Sequence, residues 1–408
     1  FSQEIALAHL TGPISFRDKA DTFFGISIQI IGVVFLARFI MDISTRMLFP
    51  FIPQISAGLG LTIVGFGWLL FVRAIVSVAG PVFGMWSDRY GRRQMMIIAL
   101  LLQAISVVGL AISWQWWATI PTILSGLSVA AFIPAQQAYI SDQVPYQKRG
   151  RALASVEFAW SSSAVITLPI IGWMIDLFGW HTPFLALSLL SLMGALVVWW
   201  QLPPAAERHQ TGLSWSQTRA ILLRGNVMAT VIVAMLVFVA AQAYLTIWGI
   251  WLTEDFRFDA VTVGLVATGI GIAELIGAGL ASLFIDRIGK KRGSLLALLA
   301  LIAAFLMLPF TQNSAALAVT ALVAMGTIFE FTIVSFIPLY SEQVPEARGT
   351  VLSLVFLGIG LGSAIGTPVA TISWEQLGLW AVSWISTLCL LVAIGLTWKF
   401  LRETYVSE

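Results

Sequence analysis

The sequence predicts an all-α polytopic membrane protein, with twelve transmembrane helices in two pseudo-symmetric six-helix bundles. Three observations predict it. The 408 residues are 59% hydrophobic and only 10% charged, with a mean hydropathy of +0.92, where a soluble chain carries roughly a quarter charged residues. The apolar residues come in runs such as MMIIALLLQAISVVGLAI and LSLLSLMGALVVWW, close to the ~20 residues a helix needs to cross a bilayer. Finally, polar and small residues recur at a constant offset, so the second half repeats the first.

Apolar runs read against polar breaks place spans near 27–55, 62–87, 94–113, 117–141, 150–177 and 181–201, then 226–253, 260–286, 293–311, 314–340, 349–373 and 379–401. The first carries FLARFIMDISTRMLFPFIP, apolar but for Arg38, Asp42 and Arg46. The second ends in GMWSDRYGRR, and the third is free of charge. The fourth ends at SDQVP, and the fifth opens on the basic cluster at 148–151. The sixth runs into QLPPAAERHQTGLSWSQTRAILLRGN, the one long polar connection, which divides the chain six and six. The second half keeps the same order of breaks. The expected organisation is a leader at 1–26, a bundle at 27–201, a linker at 202–225, a bundle at 226–401 and a tail at 402–408.

The repeat is carried by residues that hydrophobic composition does not dictate. SDQVP at 141–145 recurs as SEQVP at 341–345, and Arg149-Gly150 as Arg348-Gly349. Asp88-Arg89 with Gly91-Arg92-Arg93 recurs as Asp286-Arg287 with Gly289-Lys290-Lys291, and Pro169 recurs as Pro368. Six helices per repeat is an even number, so both copies run the same way through the membrane. Parallel repeats of this kind place a substrate site at the interface between halves.

Basic residues give the orientation. Of 22 Lys and Arg, Arg38, Arg46 and Arg73 lie within spans and Arg257 in an odd-to-even loop. All others fall in or beside the leader, the even-to-odd loops, the linker and the tail. By the positive-inside rule that side is cytoplasmic, with both termini on it. Trp114, Trp116, Trp117, Trp180 and Trp251 then fall at outer helix ends and Trp199, Trp200 and Trp398 at inner ones, where amphipathic rings suit the interface.

Composition also excludes. A net charge of +2, with basic residues in short clusters between spans, indicates no nucleic-acid partner. The single cysteine, Cys389, allows no internal disulfide and no Cys-based metal site. There is no GxxxxGK[ST], no HExxH and no nucleophile–His–acid set. His9 and His209 lie in polar segments and His181 at a helix end. No enzyme, metal or cofactor is expected.

Helix count, repeat, linker and GMWSDRYGRR together resemble the major facilitator superfamily, whose loop motif of Gly, three residues, Asp-Arg, one residue and Gly-Arg-Arg matches Gly84 to Arg93 between the second and third spans. The resemblance runs from residue 27 onward. It implies that the third, sixth, ninth and twelfth helices are peripheral and the others line a central cavity. It also implies a cytoplasmic gate of Gly84, Asp88, Arg89, Gly91, Arg92 and Arg93, with Asp286 and Arg287 in the weaker copy. Asp88 would face the N-terminus of the helix opening near Gly349, and the arginines would pair with an acid such as Asp142. A carboxylate at a helix N-terminus is favoured by the helix dipole. Gly84 and Gly91 would permit a close helix approach and a tight turn. The motif can equally be a basic cluster that only sets topology. Within the superfamily, Pro50 to Pro53 after a mid-helix acid and Leu168-Pro169-Ile-Ile-Gly172 resemble the drug/proton antiporter branch. Leu168 stands where that motif has Gly, and Thr122 stands about where that branch has an Arg.

Charges within the spans nominate the site. Four-residue spacing puts Arg38, Asp42 and Arg46 on one stripe, roughly 12 Å end to end. An ionised side chain facing lipid at mid-depth costs at least ~2.5–3.5 kcal/mol, so the stripe is expected to face a wet cavity. Arg73, Glu157, Glu274 and Glu330 lie in the second, fifth, eighth and tenth spans, all cavity-lining in the superfamily. Plainer readings exist for each. The first-helix charges can neutralise one another as i,i+4 neighbours. Arg73 can be the partner of a first-helix acid, and Glu157 of the 148–151 cluster. Glu274 and Glu330 have no Lys or Arg within any span of their own half. A carboxyl buried away from cations is more easily held protonated, so either is a candidate proton carrier, or a hydrogen-bond partner for a neighbouring helix. Asp42, between two cations, is expected to organise substrate binding instead.

The resemblance implies secondary transport by alternating access, most simply proton-coupled efflux of a lipophilic or amphipathic small molecule. A lipid or lipid-linked sugar flippase, or a solute importer, is the alternative; a non-transporting membrane sensor would lack a soluble domain to signal through. The expected partners are membrane lipids, a small-molecule substrate and protons, and the expected setting is a monomer in a bacterial inner membrane.

Overall fold

The computed structural model describes residues 21–145, 148–204, 215–344 and 347–403. Most of the leader, the middle of the linker and the end of the tail lie outside the described residues, as do His9 and His209.

The chain is helical throughout its described length. Helix α1 (Ile28–Arg46) stops short of Pro50, which has no N–H to give, and the chain resumes as α2 (Ile52–Leu59) with Pro53 in its first turn, where a missing donor is tolerated. Helix α3 (Ile63–Ser77) is capped by Thr62, whose Oγ1 accepts from the Gly65 N–H at 3.0 Å, a contact worth about 1 kcal/mol. A break at Val78–Ala79 leads to α4 (Gly80–Tyr90), then α5 (Arg92–Ile112), α6 (Thr119–Gln143), α7 (Arg149–Phe178) and α8 (Thr182–Gln201). The short α9 (Trp215–Leu222) precedes the second half: α10 (Gly225–Glu254), α11 (Ala260–Ile288), α12 (Lys290–Met307), α13 (Ala315–Ser341) and α14 (Arg348–Phe400).

Twelve separate spans were expected. Among the described residues ten helices are long and apolar enough to cross a membrane, or eleven if α2 and α3, bent by 98°, are taken as one. The difference has local causes. The first two spans are each broken into shorter pieces, and α14 joins two helices across Gly378, whose backbone is non-helical at φ 71° and ψ −163°.

Packing repeats with the sequence. In the first half α5 packs on α6 and α8, and α3 on α6; in the second, α12 packs on α13 and α14, and α11 on α13. The halves meet through α7 against α11, α3 against α14, and α2 against α10. The first two contacts are one another's counterparts under the repeat.

These meetings lie toward the end away from the basic clusters. Small residues bring backbones together there, as is usual between membrane helices. A Cβ on Gly264 would fall 2.6 Å from the Leu168 carbonyl oxygen, and one on Gly67 2.5 Å from Thr371 Oγ1; Gly172 likewise abuts the Ala260 carbonyl and Gly249 that of Pro50. Two carboxylates seal the same end by capping helices of the opposite half. Asp176 accepts from the Ala260 and Val261 N–H groups at 3.3 and 2.9 Å, and Glu375 from the Val64 N–H at 3.3 Å. One apolar core runs continuously from Ile43–Leu70 of the first half into the second, whereas the core around Val34, Met96 and Phe132 belongs to the first half alone. Positions Gly150, Gly279 and Gly349 have open space where a side chain would stand.

A Gly172→Val substitution should therefore wedge α7 from α11 and open the sealed end. Labelling of single cysteines along α3 and α14 should show greater access from that side, and unchanged labelling would contradict the role given to this contact.

The expected interfacial tryptophans divide. Trp114, Trp116, Trp117, Trp199, Trp200 and Trp398 are exposed, and Trp180 packs edge-on against Phe184. Trp251 is a correction: it is fully buried, because helices of the second half enclose it, with Phe256, Phe305, Leu322 and Leu379 beside it.

Candidate functional site

The α1 stripe is buried, with Arg38, Asp42 and Arg46 only 8%, 5% and 4% exposed. Its three charges do not simply neutralise one another. Asp42 pairs with Arg38 alone, whose Nε donates to both carboxylate oxygens at 2.9 and 2.8 Å. The rest of the Arg38 guanidinium donates to Glu157 of α7 at 3.3 and 3.1 Å and to Gln136 Oε1 of α6 at 3.3 Å. Glu157 thus meets Arg38 rather than the 148–151 cluster, and its side chain is 47% exposed.

Arg46 reaches across the molecule. Its Nη2 donates to both oxygens of Glu274 on α11, at 2.7 and 2.6 Å. Nη1 donates to the Trp160 carbonyl at 3.4 Å, and the guanidinium lies 4.7 Å from the Trp160 ring centroid, within cation–π range. Glu274 is wholly buried. The expectation that it stands clear of any cation is therefore corrected: its cation comes from the other half. Glu330, on α13, has no hydrogen bond or ion pair among the described residues. It is partly buried against α11, where a Cβ on Gly277 would lie 3.2 Å from its own Cβ, and it feels the charges of Glu274, Arg46 and Glu157. Three carboxylates thus share two guanidinia, and Glu330 stands unpaired among the described residues.

Arg73 stands apart from this network. Its Nε donates to Ser125 Oγ at 2.9 Å and its Nη2 to Thr45 Oγ1 at 2.6 Å. No carboxylate pairs with it among the described residues, so the plainer reading of Arg73 as partner of a first-helix acid does not hold. Sequence reasoning missed Gln136 and Trp160. An amide at Gln136 in the apolar run AAFIPAQQAYI was the available signal, and its Nε2 is buried without a partner.

The loop motif makes matching contacts in both halves. Arg92 pairs with Asp88 and with Asp142, the latter at 3.2 Å from Nε to Oδ2, and Arg93 donates to the Trp199 carbonyl. In the copy, Lys290 pairs with Glu342, and Lys291 donates to the Trp398 carbonyl at 2.8 Å. Gly91 and Gly289 turn with φ of +98° and +94°, a region open to glycine at little cost. Gly84 is less constrained, since a Cβ there would meet Pro134 at an ordinary 3.8 Å. Arg89 is exposed, 5.7 Å from the Tyr90 ring, and Asp286 and Arg287 are exposed. Asp88 is half-exposed and makes no bond to the start of α14 among the described residues.

Two parallel repeats joined by a charged network at mid-depth define a membrane transporter of small molecules, working by alternating access rather than by catalysis. The chain belongs to the Major Facilitator Superfamily, whose model matches residues 34–250 and again 230–408. It is 27% identical to multidrug resistance protein 2 of Bacillus subtilis over 62% of this chain and 66% of that relative, slightly under two thirds of its length. It is 28% identical to the multi-drug resistance efflux pump PmrA of Streptococcus pneumoniae, over 64% of this chain and 68% of the relative. The solved structure of a D-xylose–proton symporter superposes with a TM-score of 0.77, covering 92% of this chain and 98% of its own at 18% identity, a likeness of fold alone.

Proposed function

We propose that the protein exports small amphipathic molecules in exchange for protons, as in the drug/proton antiporter branch of the superfamily. The observation that carries this reading is the network in which Arg38 and Arg46 serve Asp42, Glu157 and Glu274 while Glu330 has no partner among the described residues. With more acid than base, the network has room for a proton or for the cationic end of a cargo. Arg46 and Glu274 belong to opposite halves, so whatever loads one of them also weighs on the halves' engagement. Trp160 and the partnerless Gln136 Nε2 offer a ring face and a donor beside the same charges. The efflux relatives favour export.

In this reading the chain crosses the membrane twelve times. Helices α1 and α2 form one bent crossing and α3 and α4 the next. The 53 residues of α14 are ~80 Å of helix at 1.5 Å per residue, enough for two crossings of a ~30 Å core that turn at Gly378. The bundles are 27–201 and 226–401. The basic end is cytoplasmic, together with the leader at 1–26, the linker at 202–225 and the tail at 402–408, and the state described is inward-open. When that end closes, Asp88 meets the N-terminus of α14 near Gly349, while Arg92 stays on Asp142. The protein acts as a monomer in a bacterial inner membrane.

The test is transport in proteoliposomes with a panel of lipophilic cations, zwitterions, sugars and lipid-linked sugars, with and without a pH gradient of either sign. Gradient-driven movement of amphipathic cations or zwitterions toward the acidic side is expected. Gradient-independent lipid scrambling, or sugar uptake with the proton, would replace the proposal with a flippase or an importer.

A further inference from the structure

We infer that the Glu274 carboxylate and the Trp160 ring form a site for a planar organic cation, an amidinium or guanidinium, which Arg46 fills as a tethered ligand until a free ion displaces it. In the transport reading, on which this rests, that ion is the charged end of the cargo. The walls around the Arg46 guanidinium define the site. They are a carboxylate that takes Nη2 at 2.7 and 2.6 Å, a main-chain carbonyl 3.4 Å from Nη1, and an indole face 4.7 Å away. Acceptors and a π face suit a cation. A flat, delocalised and weakly hydrated one fits them best, since it can fork onto a carboxylate and lie against a ring.

Two observations point to exchange rather than to a fixed strut. The first is a second berth for Arg46. Asp42 lies four residues back on α1, the spacing at which helix side chains meet, and it already feels the charge of Arg46. Released from Glu274, Arg46 turns to Asp42 and its charge is not left bare. Asp42 is the poorer partner, because Arg38 holds both of its oxygens, so Arg46 returns once the site empties. The second is a surplus of acid beside a wet flank. A Cβ on Gly277, one turn from Glu274, would lie 3.2 Å from that of Glu330, so the unpaired acid adjoins the site and favours a further positive charge there. Glu157, one turn before Trp160 on α7, has a 47% exposed side chain, which brings solvent within a turn of the ring. A cargo without positive charge cannot replace the one that Arg46 withdraws from Glu274.

The experiment is calorimetric titration of the full-length protein in zwitterionic nanodiscs with benzamidinium chloride, with no pH gradient, so that binding is read apart from transport. Saturable binding is expected, and neither neutral benzamide nor tetramethylammonium should compete with it. Arg46→Ala removes the tethered competitor and should bind benzamidinium roughly tenfold more tightly, as when the binding-competent fraction rises. In that background Trp160→Leu should weaken binding several-fold, Glu274→Gln should abolish it, and Glu330→Gln should weaken it least. Binding by Arg46→Ala that is absent, or no tighter than that of the unmutated chain, would overturn the inference, as would binding untouched by Trp160→Leu. Binding lost in Glu330→Gln and kept in Glu274→Gln would overturn it by placing the cation on the unpaired acid. Should Arg46→Ala not fold, Asp42→Asn decides: losing the second berth should weaken benzamidinium several-fold, and an unchanged affinity would overturn the displacement. The expected pattern in a protein that moves no cation would uphold the site and overturn the export reading.

Discussion

Arg46→Gln is expected to drive the protein out of the state described here. The substitution strands Glu274, which is wholly buried, without its cation. Breaking a buried pair by removing one partner costs about 3–5 kcal/mol, between roughly two and three and a half orders of magnitude in an equilibrium constant. Because the pair spans the halves, the loss falls on the arrangement in which α1 and α11 are engaged, and the population moves toward the alternative. Glu274→Gln should act in the same direction by stranding Arg46. The double variant Arg46→Gln/Glu274→Gln removes both charges together and should recover most of the loss, so the cycle will be strongly non-additive. Distances between spin labels on the basic ends of α4 and α14 would report the shift. Unchanged distances in both single variants, or a double variant as impaired as the sum of the two, would refute the assignment.

Glu330→Gln is expected to abolish transport driven by a pH gradient while leaving substrate counterflow measurable. Gln preserves the volume and much of the hydrogen bonding but cannot release a proton. Glu330 is the suited carrier because the other acids of the network are each engaged: Asp42 and Glu157 with Arg38, and Glu274 with Arg46. Its proton also bears on those charges from α13, next to α11. Asp42→Asn should instead impair counterflow as well, since it frees one side of the Arg38 guanidinium that Glu157 and Gln136 hold from the other. If Glu330→Gln keeps gradient-driven transport while Asp42→Asn loses only that mode, the roles are reversed.

The parts legible in the sequence were those set by local composition or by repetition. Spans followed from apolar runs, the halves from SDQVP and SEQVP, and the α1 stripe from a four-residue spacing. The partners within the site were not legible, for a physical reason. Arg46 and Glu274 lie 228 positions apart and meet only because the halves dock as they do; nothing near either residue encodes the other. Trp251, an expected interfacial ring, is core because other helices of the second half enclose it. Intra-helix spacing also suggested that Asp42 would be shared between two arginines. The i,i+4 rule allows both pairs, but carboxylates from other helices compete, and Arg46 takes the one across the interface. The breaks in the first two spans are each marked by breaker residues, Pro50 and Pro53 in one and Gly80-Pro81 in the other, but the apolar runs continue across them, so a reading of hydropathy passes over both.

The continuous apolar core at the sealed end has a thermal consequence. To reach its other state the protein must hydrate part of the surface between α2, α3, α7 and their partners, and wetting apolar surface carries a positive heat capacity. The free-energy gap between the two states is therefore curved in temperature, and the cost of hydrating that surface falls on cooling. Taken alone, that contribution favours on cooling the state open at the end sealed here, and on warming the one described; surface buried as the basic end closes counts against it. The carboxylate caps of Asp176 and Glu375, being electrostatic, do not follow that curve, so their share of the seal grows as the hydrophobic share fades.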